Sequence, residues 1–434
     1  TGVLRKEFEN ECEIAKNIFG TGDFGSKTII SNALLLDENQ KVNESLLLDS
    51  KKSDFLQKFI VLPIREHNAM NDKGVTIKNA KFDEEVIYKG TRFKFSIEML
   101  NENVNDKNNF FQLLDLLSKD SFRIGAGSSK GFGQIKVIEI TYDEFDVNSD
   151  EYVNLSNSLN INTKLSETHK IKEFDDEKYI KYKLILTPDD FFMFGSGFGD
   201  DEADMTPVFE DIVDYEKQDL IKEKVLIPAS SVKGAISHRT TYHYNLINKK
   251  TDGIEIKNMV LPIFKDDSLY KDVSIFFENL IDSTGKNDEY YNKLLNDKFI
   301  NKGGNADIVE SIFGAKKDKE KDSFKGNILI SDVYLDKTSS KVFDHVSIDR
   351  FTGGAIDSAL FQEKTIASKE TFTLEILINK EKVEVKENDE GKIALEAFEK
   401  ALKDITTGML SLGGATTKGH GIFSGKVLKN GVEI

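Results

Sequence analysis

The stretch Gly125-Ala-Gly-Ser-Ser-Lys130-Gly-Phe-Gly133 returns near the end of the chain as Gly413-Gly-Ala-Thr-Thr-Lys418-Gly-His-Gly421. Both copies read Gly-x-x-(Ser/Thr)-(Ser/Thr)-Lys-Gly-x-Gly. Each follows a helix-like segment and runs into a β-rich one, Gln134-Ile-Lys-Val-Ile-Glu-Ile140 and Ile422-Phe-Ser-Gly-Lys-Val-Leu428. Self-similarity of this kind marks a duplicated domain. The loop composition also bears on chemistry. Glycine permits positive φ and close approach, backbone N–H groups can point at an anion, and the lysine supplies charge. The same residues also build an ordinary tight turn. A nucleotide-binding P-loop fits poorly, because neither copy has Gly-Lys-(Ser/Thr) opening a helix after a strand.

Working back from the second loop, Tyr182-Lys-Leu-Ile-Leu186 predicts a strand, followed by a Gly- and Asp-rich loop from Phe194 to about Asp219. Leu226-Ile-Pro-Ala-Ser-Ser-Val-Lys-Gly-Ala235 leads into an amphipathic helix, with Ser230 or Ser231 as its N-cap. A polar insertion occupies about 248–310. Gly326-Asn-Ile-Leu-Ile-Ser331 and Thr371-Phe-Thr-Leu-Glu-Ile376 predict two strands. Ile393, Ala397, Phe398, Ala401, Leu402 and Ile405 have helical spacing. The order is β-α-β-β-α-β, the ferredoxin-like arrangement. Between the middle strands, Val346-Ser-Ile-Asp-Arg350-Phe-Thr-Gly-Gly354 through Phe361-Gln-Glu-Lys364 predicts a protruding hairpin, or thumb.

The first copy keeps this order. Gly2-Val-Leu-Arg5 matches Gly234-Ala-Ile-Ser237, and Phe19-Gly20 matches Phe313-Gly314. Ile29-Ile-Ser31 matches Leu329-Ile-Ser331, and Phe93-Lys-Phe-Ser-Ile97 matches Phe372-Thr-Leu-Glu-Ile376. Leu62-Pro-Ile-Arg65-Glu-His67 stands where a thumb begins. The first strand and acidic loop have no counterpart here, so a fragment, or one part of a longer fused polypeptide, is expected. The expected fold class is α+β, with two tandem ferredoxin-like (RRM-like) domains carrying thumb hairpins. The first spans 1–165 and is N-terminally incomplete; the second spans 166–434 and holds the insertion. An acidic linker runs through about 141–177.

The totals set bounds. A chain of 434 residues, 39% hydrophobic and with 31 Phe, can build two real cores. No apolar run is long enough to span a bilayer, so no membrane partner is expected. A single cysteine, Cys12, rules out an intrachain disulfide framework and a Cys-based zinc cage, and a reducing, cytoplasmic setting follows. The formal charge of −16 argues against a surface coated in positive field, leaving room only for a narrow basic groove.

These motifs, in this order and twice over, resemble the RAMP superfamily of CRISPR-associated proteins, and most of all the repeated backbone subunits of type III effector complexes. The Gly-rich loops, the Ile227-Pro-Ala-Ser-Ser-Val-Lys-Gly234 start of the helix, the strand ending Ser331-Asp332 and the Val346-Ser-Ile-Asp-Arg350 segment with Thr352-Gly353 carry the resemblance. It implies that each domain grips guide RNA, and that the thumb intrudes between guide and complementary target RNA. It also implies partners among other effector subunits. Some members cut the target with an aspartate after the first strand and a divalent metal.

On that basis Gly125, Gly127, Ser128, Ser129, Lys130 and Gly131 are candidate RNA contacts, as are Gly413, Gly414, Thr416, Thr417, Lys418 and Gly419. Ser230, Ser231 and Lys233 lie at a predicted helix N-terminus suited to phosphate. Arg239 and Arg5 lie on the first helix of each copy; Arg350 and Thr352, with Arg65 and His67 in the first copy, lie at the thumbs. Asp204, with Asp201 and Asp200 behind it, is the candidate catalytic aspartate, and Asp204 the candidate ligand for Mg²⁺ or Mn²⁺. A solvated acidic loop explains the same residues. Two rival functions stay open: a non-catalytic RNA-binding backbone, and a guide-processing endoribonuclease that needs no metal.

Overall fold

A computed structural model describes residues 2–8, 12–47, 53–70, 76–156, 158–160, 165–172, 176–247, 307–315, 323–384 and 390–434. The strand Tyr179–Pro188 shows how the second half is organised. Its alternation buries Ile180, Tyr182, Leu184 and Leu186 on one face, as a period of two requires. Phe372–Asn379 and Phe423–Lys429 flank it antiparallel, and Ile328–Ile330 and Val432–Glu433 form the edges. Counting the four main strands along the chain, their spatial order is 4-1-3-2, that of a ferredoxin-like fold. Helices Ala229–Ile247 and Glu390–Thr406 pack on each other and on the buried face. Ala394, Ala397, Phe398, Ala401, Leu402 and Ile405 are fully buried there, and Phe398 meets the Tyr182 ring edge-on at 5.3 Å.

The first half repeats part of this plan. Thr28–Ile30 pairs with Ile97–Met99, as Ile328–Ile330 pairs with Phe372–Asn379. Helices Gly2–Glu7, Cys12–Phe19 and Val104–Leu116 supply a second core through Leu4, Ile18, Phe19, Leu113 and Leu116, joined by Phe8 just past the first helix. Among the described residues no strand of this half fills the central position that Tyr179–Pro188 takes in the other. The strand expected over Gln134–Ile140 therefore has no ladder to join, and only a bridge from Arg123 to Gln134 marks its start.

Other expectations need correction. The segment read as a loop from Phe194 to Asp219 contains the strand Phe209–Asp214, hairpinned to Asp219–Ile227 and extended by Val333–Leu335. Its apolar residues Val213 and Leu220 join Phe55, Leu56, Phe59 and Tyr215 in a third core, shared by the two halves. Part of the expected linker packs: Thr141–Tyr142 pairs with Glu167–Thr168, and His169 stacks on Phe111 at 4.8 Å. Almost all of the expected insertion, 248–306, lies outside the described residues.

Among the described residues each half also carries a long antiparallel hairpin between its paired sheet strands in chain order, Ile64–Met70 with Thr76–Glu85 and Ser339–Ile348 with Ala355–Ala367. The second begins seven residues before Val346, so Arg350 and Thr352 lie in the turn at its tip and not at its base. Asp349 Oδ1 closes that turn by accepting the N–H groups of Phe351 and Thr352 at 2.8 Å. Among the described residues no helix is long and apolar enough to cross a membrane.

Candidate nucleic-acid interface

The two Gly-rich loops have one conformation. In the first, Ile124 N–H donates to Gly133 O at 2.9 Å and Lys130 N–H to Gly127 O at 2.7 Å; in the second, Leu412 N–H donates to Gly421 O at 2.8 Å and Lys418 N–H to Ala415 O at 2.9 Å. Gly133 and Gly421 have φ of 80° and 76°, and a Cβ on either would overlap the carbonyl it faces, Ile124 or Leu412. One position differs between copies. Gly127 (φ 67°) lies under the Phe132 ring, leaving no space for a Cβ, whereas its counterpart Ala415 (φ 54°) carries one, and His420 stands at the position of Phe132. The small residue and the ring above it change together.

Each loop lysine meets the hairpin of its own half in the same way. Lys130 Nζ lies 4.8 Å over the Phe82 ring and 3.5 Å from Glu84 Oε1. Lys418 Nζ lies 4.7 Å over the Phe361 ring and 2.7 Å from Glu363 Oε2. On the facing strand His67 stacks on Phe82 at 5.1 Å, and His345 stacks on Phe361 at 4.9 Å. The registers agree, His67 opposite Phe82 and His345 opposite Phe361. By the same register Arg65 is the counterpart of Phe343. Burial, helped by the Lys130 charge, holds the His67 imidazole below its ordinary value.

The first loop is seated on the second half. Gly131 (φ 103°) packs against the Asp332 carboxylate so closely that a Cβ would overlap it. Asp332 Oδ1 accepts the N–H of Ala229 at 2.8 Å, at the start of the long helix. The helix thus begins at Ala229, and Ser230 and Ser231 lie inside its first turn instead of capping it. Asp332 Oδ2 takes Arg65 Nη1 at 2.6 Å. Arg65 also pairs through Nε with Glu210, and its Nη2 lies 2.7 Å from Glu210 Oε2 and 3.0 Å from Tyr334 Oη. Burial opposes the Arg65 charge, but its hydrogen bonds to Glu210 and the nearby Asp332 outweigh that and raise its pKa. Burial raises the Asp332 carboxyl against the opposing pull of Arg65. Arg65 is 7% exposed and fully engaged, which leaves it no face for a base.

Lys233 has a different setting. It projects from the first turn of the helix, half-buried, with Nζ 3.3 Å from Ser129 Oγ of the first loop. No carboxylate pairs with it among the described residues. Burial, with the added charges of Lys130 and Lys325, pulls its pKa down to about 8. A cationic seam thus crosses the junction of the halves at the loop Ser128–Gly131, where an incoming anion would relieve both the desolvation and the repulsion.

The remaining candidates are dispersed. Ser128 is buried, while Thr416, Thr417 and Gly419 are exposed on the second loop. Gly413 packs against the Met193 carbonyl, which accepts the Gly414 N–H at 2.6 Å. Gly125 faces open space, and Arg5 and Arg350 are exposed. Arg239 pairs through Nε with Asp404, which also lies 2.7 Å from His243 Nε2. In the acidic loop, Asp200 Oδ1 accepts the N–H groups of Glu202 and Ala203, and Oδ2 meets Lys364 Nζ at 3.2 Å. The Glu202 and Ala203 N–H bonds and the Lys364 charge lower its pKa. Asp204 Oδ2 accepts the N–H of Gln362 at 2.8 Å, which ties the loop to the hairpin strand that carries Glu363. Asp201 is exposed and makes no hydrogen bond or ion pair among the described residues.

Glu84, Glu363, Asp332 and Lys325 were not among the expected site residues. A signal for the first pair exists in the repeated Phe-x-Glu, Phe82-Asp-Glu84 and Phe361-Gln-Glu363, each opposite a histidine.

Comparison with known proteins agrees with this doubled architecture. The model of the RAMP superfamily matches residues 1–136 and 192–424. No curated protein matches the chain. Among solved structures, a chain of the type III-B Cmr-beta complex bound to cognate target RNA is similar at 15% identity and a TM-score of 0.28, over 58% of this chain. The match spans 61% of that chain's length. With the family model covering both halves, the chain belongs to the RAMP superfamily.

Proposed function

We propose that the chain binds guide RNA as a backbone subunit of a type III CRISPR effector, with complementary target RNA and other effector subunits, or the remainder of a fused polypeptide, as its partners. The observation that carries this is Lys233: a half-buried ammonium with no counter-carboxylate among the described residues, bridging the helix Ala229–Ile247 and the first Gly-rich loop in a chain of net charge −16. An acidic protein that keeps this ammonium unpaired among its described residues, beside Lys130 and Lys325, favours a polyanion there.

In the finer form of this reading the second half also cuts guide-complementary RNA with Mg²⁺ or Mn²⁺ at the loop Asp200–Asp204. Among the described residues no group of three His, Cys, Asp or Glu side chains is gathered for a metal. Mg²⁺ needs only one or two carboxylates when phosphate oxygens and water complete its shell, and Asp201 and the second oxygen of Asp204 suit such a half-site. When bound, the ion would polarise the scissile phosphate. The chain itself supplies positioning: Asp204 is held by Gln362 N–H beside the hairpin, and RNA brings its own 2′-hydroxyl nucleophile.

The test uses the chain purified with its native partners. RNA that accompanies it is sequenced, and a labelled complementary RNA is offered with and without EDTA. Guide-like RNA is expected, with cleavage lost in EDTA and in Asp204→Ala while guide binding persists. Lys233→Ala lowers RNA affinity and flattens the log-affinity against log-salt line by about 0.7. Cutting that survives EDTA indicates metal-independent guide processing, and retained guide without cutting indicates a non-catalytic backbone. Absence of RNA together with an indifferent Lys233→Ala overturns the reading.

A further inference from the structure

The two loop lysines meet their hairpin carboxylates at different depths. The Glu84 side chain is 32% exposed and lies 3.5 Å from Lys130, within reach of water. That of Glu363 is 1% exposed and lies 2.7 Å from Lys418. His345 Nε2 stands 3.2 Å from the same Glu363 oxygen, and His420 Nδ1 stands 3.7 Å from the other, but neither is aligned to hydrogen-bond. Glu363 Oε1 has no hydrogen-bond partner among the described residues. A desolvated carboxylate of this kind depends on its one well-placed cation, and removing the cation strands a buried charge. An exposed pair such as Lys130 with Glu84 separates easily.

We propose that Glu363 is a positioning residue that withholds Lys418 from nucleic-acid phosphate, so the second Gly-rich loop is a latched anion site while the first is open. The carboxylate takes one of the three ammonium N–H groups and offsets the charge that would otherwise draw in a phosphate oxygen. RNA lying along both loops engages Lys130 directly, and engages Lys418 only when the return strand carrying Glu363 gives way. That strand also holds Gln362, whose N–H fixes Asp204, so release of the lysine and movement of the acidic loop are mechanically joined. This inference rests on the RNA-binding reading above.

The test is a salt titration of the full chain against a fluorescein-labelled single-stranded RNA, with circular dichroism on every variant. Glu363→Gln is isosteric and removes the charge. It is expected to tighten binding about tenfold, the lower end for a charge-assisted hydrogen bond, and to steepen the salt slope by about 0.7. Glu84→Gln changes affinity by less than about fivefold, the scale of an exposed pair. Lys418→Ala, made in the Glu363→Gln background where no buried charge is stranded, is expected to cancel that gain in both affinity and slope. Should Glu363→Gln fail to fold, Glu363→Asp, which shortens the carboxylate and lengthens the pair, takes its place, and a native Glu363→Asp that binds no more tightly than the wild type refutes the latch. A native Glu363→Gln with unchanged affinity and slope refutes it too and leaves the RNA reading intact. If the wild type binds no RNA, a gain of binding in Glu363→Gln supports the latch, and no binding by either overturns both readings.

Discussion

Lys233 carries its charge where both burial and neighbouring ammonium groups oppose it, and that has a measurable consequence in pH. Its folded value of about 8 lies below its unfolded value. Between that folded value and the unfolded one near 10.4 the unfolded chain binds a proton that the folded chain does not, so stability contributed by this group rises with pH across that window. A phosphate bound there would reverse the shift and draw a proton onto Lys233. RNA affinity at fixed salt should therefore fall as pH rises from about 7 to about 9, and Lys233→Arg should flatten the profile, because a guanidinium stays charged. A flat wild-type profile would remove Lys233 from the contact. Lys233 was legible in the sequence from its place after Ser230-Ser231. Arg65 was visible only as a thumb residue, because its partners Glu210 and Asp332 are 145 and 267 residues away. Glu363 was hidden for a similar reason: an acidic residue in an alternating strand looks solvated until a distant loop covers it.

The repeated loops show how far local sequence dictates an element. Positive φ at Gly133 and Gly421 leaves glycine as the ordinary solution, which is why the motif survives duplication. The exception is Ala415, which stands where the second copy has His420 in place of the phenyl ring that would strike a Cβ in the first. Gly127→Ala should destabilise by about 1–3 kcal/mol, from a left-handed Ala and a displaced Phe132. Adding Phe132→His to it should recover part of the loss. Ala415→Gly should stay within about 0.5 kcal/mol of wild type, since relief at positive φ offsets added chain entropy. Urea denaturation of the wild type, Gly127→Ala, Phe132→His, their double variant and Ala415→Gly checks this, and equal costs for Gly127→Ala in both backgrounds would refute the coupling. The strands were less legible than the loops. Phe209–Asp214 is dense in acids and reads as loop from its sequence, whereas Gln134–Ile140 alternates well but lacks a strand beside it among the described residues.

At the scale of the molecule, the halves are joined by a shared apolar core and by the buried Arg65 network. Removing the arginine leaves Glu210 and Asp332 buried without their cation, so Arg65→Ala should cost about 3–5 kcal/mol. The chain has no Trp, so tyrosine fluorescence against urea is the suitable readout. A loss under about 1 kcal/mol, the scale of an exposed pair, would mean that the network does not hold the halves together.

Asp332 has one further consequence, which concerns ancestry more than energy. The carboxylate that starts the helix of one half also receives an arginine and the flank of a glycine from the other. A duplicated module is free to be exchanged for a sibling only while its outward face makes no particular demands. Here any substitute for the first half must bring an arginine on its hairpin and no side chain at the loop position that meets Asp332. The two repeats have stopped being interchangeable beads and have become a matched pair with a fixed order.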